Sequence, residues 1–186
     1  MVRNFDNRPV PPDVIERILG NAQRAPSAGF SQGWAFLVLE GRDETAGFWA
    51  ATFADDAARA EFRWPGLFNA PLLVVPMSHK QAYLDRYAEP DKGWVDRDER
   101  RWPAPYWDID TGFAALLMLL TAVDAGLGAL FFGIMNPDAF RAAFDVPHAY
   151  APIGALAIGW PLPDEPSTSL NRGRRPPEHV IHRGRW

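Results

Sequence analysis

Between residues 11 and 25, PPDVIERILGNAQRA, apolar side chains fall at positions 14, 15, 18, 19 and 22. That spacing lays one apolar stripe along a helix. Pro11 and Pro12 suit its first turn, where the missing N–H costs nothing. After a turn, APSAGFSQG, the chain becomes continuously apolar in WAFLVLE (34–40), which reads as a buried strand. Residues 44–62 read as a weaker helix, APLLVVPM (70–77) as a second buried strand, and HKQAYLDRYA (79–88) as a short helix.

The pattern breaks over 89–107, EPDKGWVDRDERRWPAPYW, which mixes charge, proline and aromatics. A connection of that length inside a compact unit suits a binding loop or lid. Residues 110–126 then read as a helix, with Asp110 as N-cap and Gly126 as its stop. It is apolar on nearly every side, which predicts burial at the centre or in a subunit interface. ALFFGIM (129–135) reads as a strand, NPDAFRAAF (136–144) as a helix capped by Asn136, and IGALAIGW (153–160) as a last core strand. Helices and strands mix without regular alternation, so the expected fold class is α+β: one domain over 1–186, a mixed or antiparallel sheet flanked by helices, and a basic arm over 170–186.

The 186 residues suffice for one such core. With 47% hydrophobic and 23% charged residues and a net charge of -4, the chain is ordinary for a globular protein, and its mild acidity argues against nucleic acid as a partner. The run FAALLMLL is too short to cross a bilayer, so no membrane role is expected. With no cysteine, disulfides, thiolate catalysis and cysteine-bound zinc are excluded, and a reducing cytoplasm fits. The strong bias is toward rings, with eight Trp and twelve Phe.

Motifs for hydrolysis, dinucleotide binding and P-loop phosphate binding are absent from the sequence. His179 and His182 lie in a stretch that reads as extended rather than helical, which does not suit a metal pair, and no metal is expected. Asp110 is read as a cap, so it and Asp108 are not read as a catalytic pair. No side chain stands out as a catalytic group. Rings, small residues and a basic tail suit a flavin, whose chemistry resides in the cofactor.

Five segments in order then carry a resemblance: VRNFDNRPVPPDVIERIL, APSAGFSQGWAF, APLLVV, DAGLGALFFGI, and AIGWP followed by GRRPPEHVIH. Together they resemble the nitroreductase family of FMN-dependent oxidoreductases. The resemblance implies FMN at the interface of an intertwined homodimer. Arg3 would face the pyrimidine edge of the flavin. Pro26, Ser27 and Phe30, with Gln32 close by, would reach the flavin of the partner subunit. Phe131 and Phe132 would pack near the ring, although they alternate along a strand and only one can face it. The Gly133 N–H would address the reactive nitrogen, and Arg174 and Arg175 would bind the phosphate. Trp94, Trp102, Tyr106 and Trp107 would line the lid.

The sequence departs from the family pattern at three places. Met1 stands where the family has a serine after a basic pair, Phe30 replaces an asparagine, and Gly33 and Ala35 replace a proline and an arginine. The first predicts either a start further upstream or weaker FMN binding, and the other two point to weaker FMN binding. The implied activity is transfer of hydride from NADH or NADPH, through FMN, to a small acceptor such as a nitroaromatic or a quinone. A flavin-sequestering protein without turnover and a flavin-cleaving enzyme of the dimethylbenzimidazole-forming kind remain as alternatives. So does a deazaflavin in place of FMN. Against flavin cleavage, Gly133 stands where that branch has a serine, and its acidic N-terminal residue has no counterpart.

Overall fold

In the computed structural model, which describes residues 1–53 and 55–186, two helical layers sandwich an antiparallel sheet. Its strands are β1 (Phe5–Asp6), β2 (Trp34–Glu40), β3 (Leu72–Ser78), β4 (Gly128–Phe132), β5 (Ala151–Pro152) and β6 (Ala155–Pro161). They run in the order β1-β6-β3-β2, with β4 also paired to β6 and β5 to β3.

Alternation along the central strands feeds both layers. Leu72 and Val74 of β3 and Leu156 and Ile158 of β6 face a core shared with α1 (Pro12–Ala22) and α5 (Tyr106–Asp124). Leu73, Val75, Ala155 and Ala157 face a second core, shared with α2 (Gly41–Thr52) and α6 (Pro137–Ala143). Leu72, Leu73, Val74, Val75, Leu156 and Ile158 are wholly buried, each worth roughly 1.5–3 kcal/mol relative to exposure.

The first helix, the bounds of the strand at 34–40 and the Asn136 cap match the expectations from sequence, but β2 is the last strand in the sheet order and only Leu39 in it is buried, so it is not the buried strand expected. Asn136 accepts the Ala139 N–H at 3.0 Å. The expected helix over 44–62 divides into α2 and the short α3 (Asp56–Ala60), and Ala54, inside the expected span, lies outside the described residues. The remaining helix, α4 (Lys80–Ala88), follows β3 directly.

The reading of the long apolar helix needs two corrections. Helix α5 begins at Tyr106, so Asp110 lies one turn inside it and is not the cap. The Asp110 side chain is instead buried, where it serves another element. Nor is α5 covered on all sides. Ala114, Ala115, Met118 and Ala122 enter the core, while Ile109, Phe113, Leu116, Leu120 and Val123 form a stripe that this chain leaves exposed. By length and composition alone α5 could cross a bilayer, and it packs here against α1, β3 and β4.

Candidate functional site

The start of the chain is stitched to the first residues of β4. The Val2 N–H donates to the Ala129 carbonyl at 3.2 Å, and β1 pairs with β6. Gly128 permits this approach, because a Cβ there would lie 2.9 Å from a Val2 methyl. Arg3 is thereby held close to β4, and its backbone N–H donates to Asp164 Oδ2 at 2.7 Å.

A cleft of about 270 Å³ opens at this junction. Arg3, Phe131, Phe132 and Gly133, 128 and more residues apart in sequence, all line it. Its remaining walls combine the rings of Phe48, Trp49, Phe53, Phe62 and Trp64 with aliphatic side chains such as Leu67, Leu130 and Ile134. Phe132 stacks on Trp49 with centroids 5.4 Å apart and planes 17° apart. The Arg3 guanidinium lies over the Trp64 ring, 5.0 Å from its centroid, a favourable cation–π geometry. Phe131 and Phe132 pack toward opposite layers, as alternation requires, and both reach the cleft at the strand's end.

The wall contributed by α2 was not singled out from the sequence. Its signal was present: Phe48, Trp49, Thr52 and Phe53 repeat at the one- and four-residue offsets of a single helix face. Read alone, that spacing means core packing, which Phe48 and Trp49 also do.

The turn residues lie elsewhere. Pro26, Ser27, Phe30 and Gln32 are outside the cleft, in a segment fixed from α4 and α5. Asp110 Oδ2 accepts the Ala28 N–H at 2.8 Å and the Tyr83 hydroxyl at 2.9 Å. Arg86 Nε donates to the Gly29 carbonyl at 2.9 Å, while its other nitrogens grip Asp91 at 2.7 and 2.8 Å. Burial first, and then the bond to Asp110, push the Tyr83 hydroxyl well above the usual tyrosine range, so it remains a donor. Ser27 Oγ accepts the Gln32 N–H at 3.1 Å. Phe30 and Gln32 have φ of 56° and 49°. That left-handed geometry costs each of them roughly 1–2 kcal/mol.

Trp94, Trp102, Tyr106 and Trp107 come together in a second aromatic cluster, away from the cleft. Trp102 is its hub, with Tyr87 at 4.4 Å and Trp94 at 5.5 Å. Arginine–carboxylate pairs, Arg97 with Asp85 and Arg101 with Asp96, fasten this segment to α4 and to itself. Arg174 and Arg175 are on the exposed C-terminal arm, outside the cleft, where Arg175 donates to the His179 carbonyl at 2.8 Å.

The cleft fits the ring system of a flavin. Its walls are flat and apolar, with a guanidinium at one rim. At Gly133 a Cβ would meet no atom within 4 Å, so a ligand can approach the backbone. The indole N–H groups of Trp49, Trp64 and Trp102 are buried without a hydrogen-bond partner among the described residues.

Residues 1–160 match the model of the Nitroreductase family. A 5,6-dimethylbenzimidazole synthase from Rhodospirillum rubrum is 29% identical over 98% of this chain and 89% of its own length. An NADPH-dependent oxidoreductase from Staphylococcus aureus is 25% identical over 100% of this chain and 70% of its own. Among solved structures, an FMN-dependent nitroreductase from Clostridium difficile R20291 superposes with a TM-score of 0.68 at 19% identity, covering 100% of this chain and 94% of that one.

Proposed function

The chain belongs to the nitroreductase family, and from that premise we propose that it is an FMN-dependent oxidoreductase that takes hydride from NADPH or NADH and passes electrons to a small acceptor such as a nitroaromatic or a quinone. The observation that carries this reading is the convergence of Arg3, Gly133 and stacked rings in one flavin-sized cleft. FMN bound there supplies the hydride chemistry. Arg3 places a fixed positive charge at one rim, which favours negative charge on a bound ring. Phe132, held by Trp49, gives the ring a rigid apolar wall. Gly133 leaves room for close approach to its backbone.

The assembly proposed is a homodimer. The exposed α5 stripe has a 4-3-4-3 spacing, the repeat of helices that pack side by side. Such a pairing supports a role for Pro26, Ser27, Phe30 and Gln32 at the partner's cleft, with the 89–105 segment behind them as cover. Arg174 and Arg175, on the free arm, supply guanidinium groups for the FMN phosphate. The absence of cysteine fits a cytoplasmic setting.

The test is a visible spectrum of purified protein titrated with FMN, followed by NADPH oxidation with menadione. Flavin bands that shift on binding, and turnover well above that of free FMN, are expected. A preparation that stays colourless with added FMN overturns the reading, and turnover no faster than free FMN reduces it to flavin sequestration. The likeness to the Rhodospirillum rubrum synthase favours flavin cleavage as a second reading. It predicts dimethylbenzimidazole from reduced FMN in air, a product the first reading does not yield.

A further inference from the structure

The turn at 27–32 is held more firmly than a surface connection requires. It departs from low-energy backbone at Phe30 and Gln32, yet the Phe30 ring is 76% exposed and gains little burial in return. Strain of this kind persists where the surroundings over-determine it, and such places cluster at functional sites. Here the surroundings are Asp110, Tyr83 and Arg86. Asp110 is 3% exposed and Tyr83 wholly buried. The Asp110 carboxylate turns from α5 toward the turn and accepts the Ala28 N–H, and Tyr83 shares the same oxygen. Glycine completes the fit, since a Cβ at Gly29 would lie 2.6 Å from the Tyr87 ring.

We propose that Asp110 is a positioning residue for the cofactor site: through the Ala28 N–H, and with Tyr83 and Arg86, it sets the strained turn so that Phe30 and its neighbours form one wall of the partner subunit's flavin cleft. The inference rests on the FMN-binding homodimer proposed above. Asp110 touches neither flavin nor substrate. Its carboxylate makes two hydrogen bonds at a site that a wrongly shaped turn would lose.

The experiment compares FMN dissociation constants, read by flavin fluorescence, for the full-length wild type, Asp110→Ala, Asp110→Asn and Tyr83→Phe. Ile18→Ala serves as a control for general destabilisation, since Ile18 is wholly buried in the core. Asp110→Ala is expected to weaken FMN binding at least tenfold. Asp110→Asn, which keeps an oxygen for the Ala28 N–H, is expected to recover to within about threefold of wild type. Ile18→Ala is expected to bind FMN as wild type does despite a lower melting temperature. Should Asp110→Ala fail to fold, Tyr83→Phe carries the test, with an expected loss of about threefold. Wild-type affinity in Asp110→Ala, or in Tyr83→Phe where that variant stands in, overturns the positioning role alone. So does an equal loss in Ile18→Ala, which marks the effect as general destabilisation. A folded wild type that binds no FMN overturns the parent reading and this inference with it.

Discussion

Gly33 lies against Tyr83. A Cβ built on it would sit 2.5 Å from Tyr83 Cε2 and 2.9 Å from the His79 carbonyl oxygen, and a backbone atom cannot swing aside. Gly33→Ala is therefore expected to cost about 1–3 kcal/mol, read as a lower urea midpoint. At the cleft, Arg3→Ala removes the rim charge and is expected to weaken FMN binding roughly tenfold, the scale of a charge-assisted contact. Fluorescence titration checks it. Single residues were unevenly legible. Arg3 and Gly133, which line one cleft, were singled out only through the family resemblance, because no periodicity links positions 130 residues apart. Asp110 was misread because an acid ahead of Thr111, Gly112 and an apolar run looks like a cap. Its actual partners, Ala28 and Tyr83, are brought to it only by tertiary packing.

Among the elements, the strands were the most legible, since β2 and β3 are short apolar runs with clear ends. The start of α5 was not. Pro103 and Pro105 mark 102–105 as loop, and Tyr106 and Trp107 share its aromatic character, yet their burial against Trp102 favours starting the helix there. The N-cap of α6 was plain in the sequence, and Asn136→Ala is expected to cost about 1 kcal/mol in thermal unfolding. The exposed stripe of α5 makes a larger prediction. Leu116→Lys with Leu120→Lys places two charges on the proposed seam and is expected to convert a dimer to a monomer, as light scattering would show, while the buried face of α5 keeps the protomer folded.

Across the whole molecule, the sheet carries a core on each face, and the cleft forms where β4, the N-terminal residues and α2 meet. That meeting place could not be read from helix and strand periods, which say nothing about which ends converge. The 89–105 segment brings in pH. Arg101 and Arg100 hold Asp96 and Asp98 below the usual carboxylate range, Asp98 down to about 2, and Gln81 and then Arg97 do the same for Asp85. A depressed carboxylate stabilises the fold above its unfolded pKa, and this is lost as pH falls through the folded value. The segment is thus expected to loosen between about pH 4 and pH 2, with a change in emission from Trp94 and Trp102. Helix α5 has a further consequence, because it holds Asp110 on one side and the exposed stripe on another. If the stripe is the seam between protomers, diluting the protein strips each flavin pocket of its borrowed wall. Bound colour would then fade with protein concentration, and the two pockets would empty together rather than independently.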